Sequence, residues 1–502
     1  MSIAKKVASQ SGWFLFGNVY TLIVGFAFQI YLARYLGAEG LGLFGLLQAG
    51  VGAFSGLLGL GIAQVMVRFI PEHVRKQEYA ELHSLVRGGF ALLAGLGLVG
   101  ALAVSLSLPL LVGRWPDLAG RESEVLAGTL MLPLGLLLHA SAQALRGFYD
   151  IRYVVIGGSI LQLTAKVLSS IIIFALGFHV VGYLWAVNLS MAVALVWMLF
   201  GIGGHLRRYP SERTRGLRLL PAWRGYAKVM YGNNLLGFWA APLEKFILGL
   251  TASAAAVGVL VVANSLYMLP AVFLQMFLAI VGPMLAAAAS ENKMQEVEKI
   301  YHLSTDWLVR LSLPLIIFLA IFAAPLLGFY GKEFTETGPF LLQLLLAGQL
   351  LNLIVGPIGN VLNMCGRERK MFVINTASIL LRAILLLAIV PVFGLYGLGA
   401  TVVIVLVFSN ASALIVAWKS LGLQWWDAKY KAWCLPSVLT VLAGVGVHYW
   451  VALNMYSLAA SLPLLYLVFH GSYILIHGFN PEDREILDAI RAKLPARITR
   501  FL

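Results

Sequence analysis

The chain has 502 residues, of which 60% are hydrophobic and only 12% charged, and its mean hydropathy is +0.87. No water-soluble globular domain of this length carries such a composition. The formal net charge is +14, but the basic residues cluster in alternate loops, so the excess reads as membrane topology and contact with anionic lipid headgroups. Nucleic acid is not expected as a partner.

Runs of about 20 apolar residues, the length that spans a bilayer as a helix, are expected at 13–33, 41–66, 85–112, 124–145, 153–177, 180–202, 229–251, 257–286, 307–330, 339–364, 371–393, 395–418, 432–453 and 456–478. The runs are continuous rather than alternating, which excludes a strand barrel. The expected fold is therefore all-α, a polytopic membrane protein of about fourteen transmembrane helices. The amino-terminal stretch Ser2 to Gly12 carries Lys5 and Lys6 but no small-residue cleavage site, so the first run reads as a retained helix and no signal peptide is expected. With the amino terminus in the cytoplasm, 28 of the 36 Lys and Arg residues lie on cytoplasmic loops and tails, and only Arg34, Arg114, Arg121 and Lys332 lie outside. That asymmetry predicts a multi-pass protein of the cytoplasmic (inner) membrane with both termini inside. The two cysteines, Cys365 and Cys434, fall at cytoplasmic helix ends, where no disulfide is expected.

Along the chain, the first span carries neutral Asn18, Thr21 and Gln29. On the fourth, His139, Gln143 and Arg146 share a face; Arg146 is a boundary anchor, and His139 is either a packed, hydrogen-bonded side chain or a proton acceptor. The fifth places Ser159, Gln162, Lys166 and Ser170 on one face, and the eleventh places Asn375, Ser378 and Arg382 on one face. A basic residue at the bilayer centre costs roughly 2.5 to 3.5 kcal/mol. Two of them at related places point to a cavity that receives an anion, with Lys166 and Arg382 for the charge and Gln162, Asn375, Ser159 and Ser378 for hydrogen bonds. On the seventh span, Glu244 follows Asn233 by eleven residues, nearly the same helical face. Glu244 with Asn375 is a candidate Na⁺ or proton site, the competing reading being an ion pair.

The chain repeats itself. Gly17-Asn18 leading to Gly37-Ala38-Glu39-Gly40-Leu41-Gly42 matches Gly232-Asn233 leading to Gly249 and on to Val257-Gly258, at an offset of about 215 residues. Leu145-Arg146-Gly147 matches Met364-Cys365-Gly366, and Val181-Gly182-Tyr183-Leu184 matches Tyr396-Gly397-Leu398-Gly399. The unit holds six helices, an even number, so its copies should be related by an axis along the membrane normal, an arrangement suited to alternating access around a central cavity. The expected division is an amino-terminal lobe at 1–205, a basic cytoplasmic linker at 206–228, a carboxy-terminal lobe at 229–420, two extra helices at 421–479 and an amphipathic cytoplasmic helix at 480–502, capped by Asn480-Pro481-Glu482-Asp483.

No phosphate-binding loop occurs, since Gly331-Lys332 runs into Glu333, and no metal-ligand cluster or hydrolytic triad order stands out. The outer loops are short, leaving little room for catalytic apparatus, so neither an enzyme nor a resident cofactor is expected.

Leu32-Ala33-Arg34-Tyr35-Leu36-Gly37-Ala38-Glu39-Gly40-Leu41-Gly42-Leu43-Phe44, Gly59-Leu60-Gly61 and Val67-Arg68-Phe69-Ile70-Pro71-Glu72 resemble the first helices of polysaccharide-biosynthesis flippases of the multidrug/oligosaccharidyl-lipid/polysaccharide exporter superfamily. Leu243-Glu244-Lys245-Phe246-Ile247-Leu248-Gly249 and Pro481-Glu482-Asp483-Arg484-Glu485-Ile486-Leu487 add to the resemblance. It implies two six-helix lobes in a V around a central cavity, and a polyprenyl-diphosphate-linked oligosaccharide as cargo, moved from the cytoplasmic to the outer leaflet. It also implies membrane lipids and polysaccharide polymerase machinery as partners. The two extra helices match those of the related lipid II flippases, but the neutral first span lacks that group's first-lobe arginines, which argues against lipid II. Rival readings are a cation-coupled drug exporter, a membrane glycan polymerase or ligase, and a membrane scaffold.

Overall fold

The computed structural model describes residues 3–114, 120–211, 221–238, 240–451 and 454–478. The expected helix at 480–502, with Asn480 to Asp483, and Arg213, Arg215 and Arg218 of the linker lie outside them. The elements of the described residues are helical: α1 (Ile3–Leu58), α2 (Ile62–Lys76), α3 (Tyr79–Arg114), α4 (Glu122–Gly147), α5 (Ile151–Ala175) and α6 (Val180–Arg208). There follow α7 (Pro221–Phe238), α8 (Ala240–Thr251), α9 (Ala254–Tyr267), α10 (Leu269–Ser290), α11 (Met294–Ile321), α12 (Gly338–Val355), α13 (Ile358–Met364), α14 (Glu368–Leu421), α15 (Ala428–Trp450) and α16 (Met455–His477).

Among the described residues, eleven helical stretches are long and apolar enough to cross a membrane. Two of these hold more than one expected span. In α1 the helix breaks at Gly37, with φ 68° and ψ −179°, and in α14 it breaks at Gly394, with φ 55° and ψ −132°. Glycine alone tolerates such torsions without a Cβ clash. The second expected span ends earlier than 66: the helix stops at Leu58, Leu60 and Gly61 take positive φ, and α2 starts afresh. Its buried residues, Ile62, Val65, Met66, Phe69, Ile70 and His73, recur every three or four positions, while Arg68, Arg75 and Lys76 stay exposed. This is an amphipathic helix, not a membrane span.

By packing, the described chain forms two compact units. The first lies within Met1–Val262, Phe329–Phe334 and Ile379–Leu398; the second lies within Ala263–Gly328, Thr335–Ser378 and Gly399–Leu502. This division by packing follows a different line from the division by internal repeat.

In the first unit α1 and α5 run side by side in the same direction. A Cβ at Gly17 would meet Val155 at 2.5 Å, Tyr20 Oη lies 2.7 Å from Thr164 Oγ1, and the Tyr35 hydroxyl donates to the Phe174 carbonyl at 2.9 Å. A core of Met66, Ile70, Leu82, Ala140, Leu145, Met198 and Trp223 joins α2, α3, α4, α6 and α7. The tightest crossing is between α1 and α9. A Cβ on Gly42 would fall 1.7 Å from the Ala254 carbonyl oxygen, and one on Gly258 would fall 1.9 Å from that of Ala38. Gly42 and Gly258 are positions that the expected repeat pairs. The crossing is reciprocal: each helix offers a glycine to the other's backbone.

In the second unit α11 is central, with Val297, Tyr301, Leu308, Val309 and Ile316 buried. The Tyr301 hydroxyl donates to the Val355 carbonyl at 2.8 Å. Alongside it, α15 and α16 are fastened by Trp433 Nε1, which donates to Asp306 Oδ1 at 2.7 Å, and by the Tyr466 hydroxyl, which donates to the Leu311 carbonyl at 2.6 Å.

Candidate functional site

Lys166 stands on α5 just beyond a π-helical stretch, Val155–Leu161, a departure from α geometry that is frequent at functional sites. The side chains around it face α1: Ser159 lies against Gly17, Thr164 against Tyr20, and Lys166 Nζ sits 5.7 Å from the centroid of the Phe28 ring. Lys166 is half-buried, and among the described residues no carboxylate pairs with it. A cation over an aromatic face gains about 0.5 to 2 kcal/mol, less than the roughly 2.5 to 3.5 kcal/mol that a central lysine costs. Phe28 thus offsets only part of the cost, and an anion arriving here would recover the remainder. Gln162 is half-buried one turn before it. Ser170 is fully buried and its hydroxyl is already committed, donating to the Lys166 carbonyl at 2.6 Å.

Arg382 is paired in this structure, as the competing reading for Glu244 has it. Its Nη2 lies 3.1 Å from Glu244 Oε1, the two side chains being 25% and 12% exposed. Glu244 Oε1 and Arg382 Nε are shielded from solvent and make no hydrogen bond, so the contact is a charge pair without the two-pronged geometry that arginine and a carboxylate can adopt. Lys245, half-buried beside Glu244, adds a second positive charge nearby.

The other expected residues are dispersed. His139 is exposed on α4, and Arg146 reaches Gln143 at a long 3.4 Å. Asn375 is exposed, whereas Ser378 is buried and its hydroxyl donates to the Ile374 carbonyl at 2.8 Å. Both lie in the second unit, on the stretch of α14 that precedes Arg382, whereas Glu244 lies in the first.

Two features escape the sequence reading. In the second unit Asp306 and Arg310, one turn apart, pair at 3.2 Å and are almost fully buried. The Arg310 guanidinium sits 4.7 Å from the Trp307 ring and 4.1 Å from the Tyr473 ring. The i, i+4 spacing of an acid and a base inside an apolar run was the available signal. In the first unit a cavity of about 560 Å³ opens between α2 and the turn from α4 to α5; nothing in the sequence pattern indicates it. Among the described residues no group of three or more His, Cys, Asp or Glu side chains is arranged to hold a metal ion.

A family model described as polysaccharide biosynthesis protein matches residues 7–289, and one described as MatE matches residues 233–387. The chain is 23% identical over 441 residues to the probable low-salt glycan biosynthesis flippase Agl15 of Haloferax volcanii, covering 85% of this chain and 86% of that one. Its fold is similar to that of the lipid II flippase MurJ in an inward closed conformation, with a TM-score of 0.71 at 12% identity over 93% of this chain and 99% of that chain. It is also similar to an inward-facing MATE family multidrug resistance transporter of the MOP superfamily, with a TM-score of 0.62 at 16% identity over 80% of this chain and 94% of that chain.

Proposed function

The chain belongs to the polysaccharide biosynthesis protein family, and we propose that it is a flippase, moving a polyprenyl-diphosphate-linked oligosaccharide from the cytoplasmic to the outer leaflet for cell-surface glycan assembly. The observation that carries the cargo's chemistry is Lys166: a half-buried ammonium group in a helical membrane bundle, over an aromatic face and, among the described residues, without a carboxylate partner. A diphosphate carries about two negative charges and cannot cross hydrocarbon unaided. Lys166 supplies one of the balancing charges. Arg382 supplies the other when the headgroup displaces Glu244, or when a proton or Na⁺ neutralises that carboxylate. Gln162 and Ser159 are left for sugar hydroxyls, and the prenyl chain stays in the lipid.

The 28 basic residues on one side of the expected topology support a cytoplasmic-membrane location with both termini inside. Loading from the cytoplasm and release outside follow by alternating access, driven by an ion gradient or by removal of product, with a polysaccharide polymerase as the consumer. A second reading, a cation-coupled small-molecule exporter, is favoured by Glu244 within the stretch that matches the MatE model.

The test is flipping of a fluorescent polyprenyl-diphosphate oligosaccharide in proteoliposomes containing the wild type or Lys166→Gln. A loss of at least tenfold in a folded variant supports an anionic headgroup at Lys166. Wild-type rates in that variant overturn the site, and absence of flipping by the wild type across several lipid-linked glycans moves the assignment to the exporter.

A further inference from the structure

The cavity in the first unit lies apart from Lys166 and from the Arg382–Glu244 pair. It is bounded by Arg68, Glu72 and Arg75 of α2, by Phe148 and Tyr149 of the turn after α4, and by Tyr209 after α6. Its volume, about 560 Å³, falls in the range that holds small-molecule ligands.

Its charge is positive. Arg68, Glu72 and Arg75 stand three or four residues apart and share one face of α2. Glu72 is answered by Lys76, whose Nζ donates to it at 2.6 Å, which leaves the two arginines as the excess. Both are exposed. The Arg68 guanidinium is held 4.5 Å from the Tyr226 ring and 5.4 Å from the Phe69 ring, contacts that orient the fork without cancelling its charge.

The turn that carries Tyr149 is strained in a telling place. Tyr149 has φ +56°, the left-handed conformation that a bulky side chain rarely adopts. The turn closes by donation from Asp150 N to the Leu145 carbonyl at 3.0 Å, the helix-ending pattern that ordinarily takes glycine at this position. A second turn of the same hydrogen-bonded pattern follows α13, where Arg367 N donates to the Leu362 carbonyl at 2.8 Å, and there the left-handed residue is Gly366. Tyr149 thus occupies the place in its turn that glycine takes in the other. The strained residue is 60% exposed and lines the cavity; strain maintained at such a place points to a ligand.

We propose that this cavity binds a phosphate-ester anion at the basic face of the first unit: Arg68 and Arg75 take phosphate oxygens, the Tyr149 and Tyr209 rings flank the organic part, and the Glu72 carboxylate accepts from its hydroxyls. A soluble phosphate ester and an anionic phospholipid headgroup share that chemistry, and the experiment separates them. Full-length protein in phosphatidylcholine nanodiscs is titrated with radiolabelled glucose 1-phosphate by equilibrium dialysis. In parallel, phosphatidylglycerol retained from mixed nanodiscs is counted by native mass spectrometry. Wild type, Arg68→Gln/Arg75→Gln and Tyr149→Gly are compared. The double variant is expected to bind at least tenfold more weakly in one arm, and the arm that responds identifies the source. Tyr149→Gly is expected to bind more weakly while unfolding at a temperature no lower than wild type, because glycine relieves the turn; a merely structural tyrosine would not separate the two readouts. Wild-type affinity in either variant, or no binding of either probe by the wild type, overturns the proposal.

Discussion

Arg382 Nη2 lies 3.1 Å from Glu244 Oε1 and joins α14 to α8 through opposite charges held largely out of water. Removing one partner strands the other. Arg382→Gln or Glu244→Gln alone is expected to lower stability by about 3 kcal/mol or more, and the double substitution to restore most of the loss, because two neutral amides need no counter-charge. Thermal unfolding of the detergent-purified variants provides the comparison, and simple additivity of the two losses would mean that the pair does not act as a pair.

Lys166 is expected to behave in the opposite sense. With no carboxylate paired to it among the described residues, it is a burden on the empty protein, so Lys166→Leu should leave the unfolding temperature unchanged or raise it while transport is lost. A fall in stability comparable to that of Arg382→Gln would reveal an acidic partner and remove the argument for a waiting anion site.

At the α1–α9 crossing even one methyl group is too large, since its carbon would fall 1.7 Å or 1.9 Å from a carbonyl oxygen. Gly42→Ala and Gly258→Ala should each destabilise the protein by several kcal/mol, on the order of a severe overpacking substitution. Because either change alone already forces the two helices apart, the double variant should cost clearly less than the sum. Calorimetry of the three variants checks both the size and the non-additivity.

Asp306 accepts from Trp433 Nε1 and pairs with Arg310. Asp306→Ala removes the carboxylate that pairs with Arg310 and accepts from Trp433 and should cost about 3 to 5 kcal/mol, whereas Trp433→Phe removes one hydrogen bond and should cost about 1 to 3 kcal/mol. If α15 depends on this anchor, limited proteolysis of Asp306→Ala should cut first between α14 and α15; a wild-type cleavage pattern would show that the apolar contacts alone hold it.

At the turn after α4, the Asp150 carboxyl is held below the usual range, chiefly by the hydrogen bond with His205 at 3.2 Å and then by Arg152, with burial opposing. A depressed carboxylate contributes stability that is full above its unfolded value, about 3.9, and is lost as the pH falls through the lower folded value. The stability gap between wild type and Asp150→Asn should therefore be constant at neutral pH and close under acid. A gap that widens on acidification would reverse the assignment.

The helical class and the membrane character were legible because they rest on composition and on run length, which the bilayer imposes directly; the family resemblance rests instead on short motifs such as Leu32-Ala33-Arg34-Tyr35-Leu36-Gly37 and Leu243-Glu244-Lys245-Phe246. The Gly42–Gly258 crossing was not legible, because a likeness of Leu41-Gly42 to Val257-Gly258 in sequence does not say that the two glycines face each other's main chain. What the sequence hides is rotation and reach. Asn375, Ser378 and Arg382 share a face on paper, yet Ser378 spends its hydroxyl on its own helix while Arg382 finds Glu244 on another. Ion pairs between distant helices depend on tertiary placement, which periodicity does not encode. The second span ended early for a local reason, the successive positive-φ residues Leu60 and Gly61, and the apolar residues of α2 that seemed to continue it cover only one side of an amphipathic helix.

The crossing of α1 and α9 puts two stretches far apart in the chain under one constraint. Elsewhere each stretch can change at its own surface. At this seam the freedom ends, because the space that a side chain at Gly42 would need is filled by the main chain of α9, which no substitution there can trim, and the same holds in reverse at Gly258. A single added carbon on either helix is therefore felt by both.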